Sequence, residues 1–111
     1  MKEFLMLFRH TPSPDLMPTG DALQAEINKW QNWIGGIAAQ GKFVKSNELD
    51  YQGKIVNAGK VVTDGPYAEV KEIVGGYIIV KADTYDEAVE MAHGCPTLEY
   101  GGSVEVRAFV R

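Results

Sequence analysis

Asp64, Gly65, Pro66 and Tyr67 follow one another directly, and Glu69, Lys71 and Glu72 crowd into the next five positions. The first three are turn chemistry: aspartate bonds to nearby backbone, glycine takes a positive φ, and proline fixes the φ that follows. Such a turn either only reverses the chain or holds Asp64 and Tyr67 at the mouth of a pocket, since loops on rigid scaffolds often carry function. In an extended segment Glu69 and Lys71 share a face, about 6.6–6.8 Å apart along the strand. They are then either a solvated edge or a pair that orients and neutralises a polar ligand. Asp64, Tyr67, Glu69 and Lys71 are therefore candidate ligand contacts.

Glu105 and Arg107 form a second group. They alternate with Val104, Val106 and Ala108 in "SVEVRAFV", so the valine face meets the helices and the two charges lie on the helix-free face. Against a partner subunit they would need partners of their own. Two readings stay open: an intersubunit ion pair that sets a dimer register, or a polar lining in which the Arg107 fork holds a small anion. His10 closes the first strand beside a proline-punctuated loop and, as a histidine, is suited to general-base work near neutral pH. His10 and Asp64 are the candidate catalytic residues. His93 falls in the last turn of the second helix, where the helix dipole favours its charged form. His93 and Cys95 are too few to hold a metal, which needs three or four ligands, so no metal is expected. Cys95 lacks the positive surroundings of a reactive thiolate and reads as a buried structural thiol. Neither a phosphate loop nor a dinucleotide fingerprint is present, and no cofactor is expected.

The elements that must position these residues follow from apolar spacing. In "EFLMLFR", Phe4, Met6 and Phe8 lie on one face and Leu5 and Leu7 on the other, the pattern of a strand covered on both sides. One side meets helices; in a chain of 111 residues the other is expected to meet a second copy. A helix starts near Asp21, with Gln24 three residues on to complete a cap. Leu23, Ile27, Trp30, Ile34 and Ile37 form one face of it, and Gly41 ends it. Gly35 and Gly36 inside it cost about 1 kcal/mol each relative to alanine, which suggests a close approach to the helix backbone. "KFVKSNEL" and "KIVNAGKVV" read as short strands with turns at "YQG" and "NAG". "IVGGYIIVKA" reads as a strand apolar on both faces, in which Gly75 and Gly76 admit a backbone or a ligand. Thr84 and Glu87 form a capping box for the second helix, stopped by Gly94 and Pro96. The order is strand, helix, strand with an extra hairpin, strand, helix, strand. That is an α+β sandwich of the ferredoxin-like βαββαβ kind over a single domain, 1–111.

The totals exclude several classes. The net charge of −4 and scattered basic residues argue against nucleic-acid binding. No apolar run approaches the roughly 20 residues of a membrane span. "MKEFLMLFRH" lacks a small-residue cleavage site and is not read as a secretory signal. The single cysteine fits a reducing cytoplasm.

"TDGPYAEVKEIVGGYIIVKADTYDEA", with "GCP", "GGSVEVR" and "WQNWIGGIAAQGK", strongly resembles the YCII-related proteins, in the branch named for a D-G-P-F motif, with Tyr67 in place of the phenylalanine. The resemblance implies a dimeric α/β barrel in which two sheets pack through their helix-free faces. It carries no settled activity. An acid–base pair proposed in the wider family, a histidine on the first helix and an aspartate near the end of the second, is not matched here. Trp30 and Trp33 occupy the middle of the helix, and Cys95 precedes Pro96. Two functions are compatible with these residues. One is a homodimer with a polar intersubunit cleft that binds a small molecule and performs acid–base chemistry on it. The other is a non-catalytic regulatory or protein-interaction module, because related domains occur alongside extracytoplasmic-function sigma factors.

Overall fold

The computed structural model describes residues 1–11, 19–65 and 73–110. Tyr67, Glu69 and Lys71, together with Pro66, Glu72 and most of the proline-punctuated connection after His10, lie outside the described residues. The elements are β1 (Lys2–His10), α1 (Gly20–Ala39), β2 (Phe43–Glu48), β3 (Gly53–Val56), β4 (Val62–Gly65), β5 (Ile73–Ala82), α2 (Tyr85–Ala92) and β6 (Ser103–Ala108), with a 3₁₀ turn, Pro96–Tyr100, before β6. β2, β5, β1 and β6 form one antiparallel sheet in that order, while β3 and β4 pair as a separate two-stranded sheet. This is the α+β, ferredoxin-like arrangement with an extra hairpin that the apolar spacing implies.

The two-sided character of β1 organises the domain. Phe4, Met6 and Phe8 are buried with Ile78 and Val80 of β5, under Ile37 of α1 and Ala88 and Ala92 of α2. On the opposite face the register aligns Ile79, Leu5 and Arg107 in one row and Tyr77, Leu7 and Glu105 in the next. Val104, Val106 and Ala108 pack on the core side, so Glu105 and Arg107 do occupy the helix-free face.

The helix ends follow local chemistry, with one correction. At α2 the Thr84 hydroxyl accepts from the Glu87 N–H at 3.1 Å, and the Glu87 carboxylate accepts from the Asp83 N–H at 3.3 Å. Lys42 also pairs with Glu87 and ties the start of β2 to that helix. At α1 the capping residue is Thr19, not Asp21, which lies inside the first turn. There its carboxylate still faces the positive end of the helix dipole. Gly41 has φ +74° and ends the helix as its sequence requires.

Two further expectations are corrected. The apolar stripe of α1 does not enter the core along its whole length: Ile37 is 4% exposed, but Leu23 and Ile27 are 42% and 38% exposed. The helix extends past the edge of the packed core, so its first two turns overhang rather than bury. Nor, among the described residues, does anything beyond the helix's own neighbouring backbone approach within 4 Å of where a Cβ on Gly35 or Gly36 would stand. Among the described residues no helix is long and apolar enough to cross a membrane.

Candidate functional site

The overhang of α1 roofs a pocket of about 370 Å³. Its floor is the end of β1 and the start of β5; its far wall is the end of β2 and the loop that follows. A sheet irregularity makes the floor. Phe8 pairs with Gly76 but Arg9 pairs with Val74, which leaves Gly75 as an extra residue bulged out of the β1–β5 ladder. Bulges of this kind re-aim side chains next to sites. The Gly75 carbonyl accepts from the Leu49 N–H at 2.9 Å, so the bulge also fixes where β2 ends.

His10 occupies the space that the bulge opens. A Cβ on Gly75 would stand 2.7 Å from His10 Nε2, closer than carbon and nitrogen tolerate. The close approach expected at the glycine pair is therefore made by a histidine ring at Gly75 and by the Asn47 backbone carbonyl, 2.9 Å away, at Gly76. His10 Nδ1 lies 3.4 Å from the Thr11 carbonyl oxygen. When Nδ1–H makes that long donation, Nε2 holds the lone pair, the form that accepts a proton. The Tyr51 ring stands against the imidazole with centroids 5.4 Å apart. Burial, and secondarily the negative charge of Glu48, hold the Tyr51 phenol above its ordinary value, so it stays a donor.

The roof is aromatic. Trp30 stacks obliquely on Phe8, with centroids 5.0 Å apart, and its indole N–H donates to Glu26 at 3.1 Å. Trp33, one turn on, donates to the Met91 carbonyl at 2.9 Å, and Gly94 leaves room for its ring. The two tryptophans thus divide the work: Trp33 clamps α1 to the end of α2, and Trp30 faces the pocket. Ser46, Thr97 and Tyr100 add hydroxyls to a lining that mixes apolar side chains with Glu26, Gln31, Asn47 and Glu48. The volume suits a ligand of about one or two rings, within the usual range for small-molecule sites.

The candidate residues from the sequence separate in space. His10 lines the pocket. Asp64 lies on the β3–β4 hairpin, paired with Lys54 and exposed, in a shallow depression shared with Gln52 and Gly53. It stands apart from the pocket because the hairpin forms its own sheet. Glu105 and Arg107 are on the opposite face of the main sheet, where Glu105 meets Arg9 at 3.4 Å and Arg107 at 3.8 Å. His93 is exposed at the end of α2, 3.7 Å from Glu90. Cys95 is buried, and that burial pushes its thiol up. Among the described residues no group of three or more His, Cys, Asp or Glu is placed to hold a metal ion. Glu26, Glu48 and Tyr51 were not singled out from the sequence. The usable signal was the apolar stripe of α1, too long for the core it covers.

An α+β domain of this topology, with a pocket under its first helix, defines a class by fold. The family model of the YCII-related domain matches residues 4–111, and the chain belongs to that family. No curated protein sequence matches it. Among solved structures it is similar to the 5-chloro-2-hydroxyhydroquinone dehydrochlorinase of Burkholderia phenoliruptrix AC1100, determined in complex with 2,5-dihydroxybenzoquinone. The two share 17% identity over 93% of this chain and 90% of that one, with a TM-score of 0.50. At that identity the likeness is one of fold.

Proposed function

We infer that this YCII-related protein is a cytoplasmic homodimer that binds a small molecule in the pocket beneath α1, with His10 as the group that takes and returns a proton. The observation that carries the reading is the bulged Gly75, which gives the His10 ring a seat at the floor of an aromatic-walled cavity. A bulge that serves only the fold has no need of a histidine in the space it vacates. Tyr51 beside the ring is the natural complementary donor. General acid–base catalysis needs such groups within hydrogen-bond reach of one bound molecule. The dehydrochlorinase of the same fold is solved with a small ring compound, and the pocket has room for one of that size.

The dimer reading rests on the helix-free face. Leu5, Leu7 and Ile79 keep part of their surface exposed there, beside the Arg9–Glu105–Arg107 cluster. Burying these leucines against a second copy removes apolar surface from water, while the cluster sets register. In this reading Glu105 and Arg107 are seam residues. Asp64 stands on the separate hairpin and is not part of this pocket, and Tyr67, Glu69 and Lys71 lie outside the described residues.

Sedimentation equilibrium at micromolar concentration should give a dimer; a stable folded monomer would contradict the assembly. For the site, a fragment screen read by the Trp30 indole resonance should return ring compounds whose binding is lost in His10→Ala. Fragments that leave Trp30 and His10 unmoved and perturb the hairpin instead would refute the placement.

A further inference from the structure

The described lining of the pocket carries charge predominantly of one sign. Among the described lining residues are two carboxylates, Glu26 on α1 and Glu48 at the end of β2, and no lysine or arginine. Neither carboxylate has a cation within ion-pair distance among the described residues. Lys29, three residues after Glu26, is held instead by Glu99 at 3.0 Å. That hydrogen bond is the first cause of its raised pKa, with the field of Glu26 the last. Among the described residues His10 is the remaining lining group able to carry a compensating positive charge, and one such charge does not balance two.

Aromatic faces accompany the carboxylates. The Trp30 N–H fixes one Glu26 oxygen at 3.1 Å, which pins the carboxylate beside the indole. Phe8 and Tyr51 present further rings, with Glu48 close enough to Tyr51 to act on its phenol. A ring's negative face attracts an ammonium group, most strongly for tryptophan. Carboxylates on facing walls add to that attraction and work against any anion.

We propose that the pocket takes an organic cation, a protonated amine or quaternary ammonium on an apolar body about the size of one ring. The proposal rests on the reading of this pocket as the ligand site. The ammonium sits between Glu26 and Glu48 against the Trp30 and Tyr51 rings, and the apolar body lies on Leu23 and Ile27. This gives those two exposed side chains a function that the core does not.

The test uses three probes of similar shape and different charge: benzyltrimethylammonium, benzyl alcohol and benzoate, titrated into the full chain with the Trp30 indole resonance as readout. Benzyltrimethylammonium should bind at least about tenfold more tightly than benzyl alcohol, with benzoate weakest. The Glu26→Gln, Glu48→Gln double variant should lose that preference and keep its affinity for benzyl alcohol. Because Glu26 also accepts from Trp30, a salt titration of the unaltered chain provides a second measurement. Added salt should weaken the cation, strengthen benzoate and leave the alcohol unchanged. Equal affinities for cation and alcohol, a preference for benzoate, or a common salt response would overturn the charge assignment and leave the pocket as a ligand site. Failure of all three probes to shift Trp30 would overturn both.

Discussion

Gly35–Gly36 lies toward the end of α1 and Gly75–Gly76 near the start of β5, and the same dipeptide meets opposite surroundings in the two places. Around the helical pair nothing among the described residues, the helix's own backbone aside, stands within 4 Å of an added Cβ; around the strand pair both positions are contested. At Gly76 the obstruction is backbone, with the Asn47 carbonyl oxygen at 2.9 Å and Glu48 Cα at 3.4 Å. At Gly75 it is the end of a side chain, His10 Nε2 at 2.7 Å. Glycine in a regular element is thus a poor guide by itself. What distinguishes a site from a local weakness is what occupies the volume that the missing side chain leaves.

The largest effect is expected at Gly76. An alanine there presses on the β2 backbone, which cannot move without disturbing its pairing with β5, so Gly76→Ala should destabilise the domain by about 1–3 kcal/mol in denaturant melts. A neutral result would mean that β2 is more loosely paired than its register implies. Gly75→Ala should behave differently. The His10 ring can turn out of the way at a rotamer cost of about 0.5–1.5 kcal/mol, so the melt shifts modestly while ligand binding in the pocket is lost. Binding that survives this substitution would sever His10 from the site. Opposite in sign, Gly35→Ala and Gly36→Ala should each stabilise by up to about 1 kcal/mol, the helix-propensity difference. Destabilisation by either would show that another molecule closes on that part of α1.

The smallest effect lies away from both glycine pairs and calibrates them. The hydrogen bond from Lys42, and then that from the Asp83 N–H, hold the Glu87 carboxyl below its ordinary value of 4.5. Its contribution is therefore present above that value and is withdrawn as pH falls from there through the lowered one. Glu87→Gln should flatten stability against pH in that acid window and leave the curve near neutrality almost unchanged. The Gly75 and Gly76 variants should keep the wild-type acid slope; a change in it would mean that their effects spread to α2 and are not local.

Much of the fold is legible in residue spacing because each strand declares its faces. Phe4, Met6 and Phe8 against Leu5 and Leu7 state a two-sided strand, and Val104, Val106 and Ala108 against Glu105 and Arg107 state which side of β6 meets the helices. Thr84 and Glu87 mark the start of α2 through bonds that span only three or four residues. The pocket is far less legible. Glu26, Glu48 and Tyr51 come from a helix, a strand end and a loop, and only tertiary packing brings them around His10. The stripe of α1 misleads for a related reason: periodicity reports that Leu23 and Ile27 share a face with Ile37, but not that the sheet ends before reaching them. Asp64 and its turn attract notice by composition, yet pairing with β3 carries Asp64 onto a separate hairpin.

The central claim is that a ligand sits over the Gly75 bulge in contact with His10. Intermolecular nuclear Overhauser effects in a complex with any ring compound found to bind would test it most directly. Contacts from the ligand to the His10 ring protons and to the Trp30 indole, absent in Gly75→Ala, are the predicted result. Contacts confined to the Asp64 hairpin, or to the sheet face that carries Glu105 and Arg107, would contradict it.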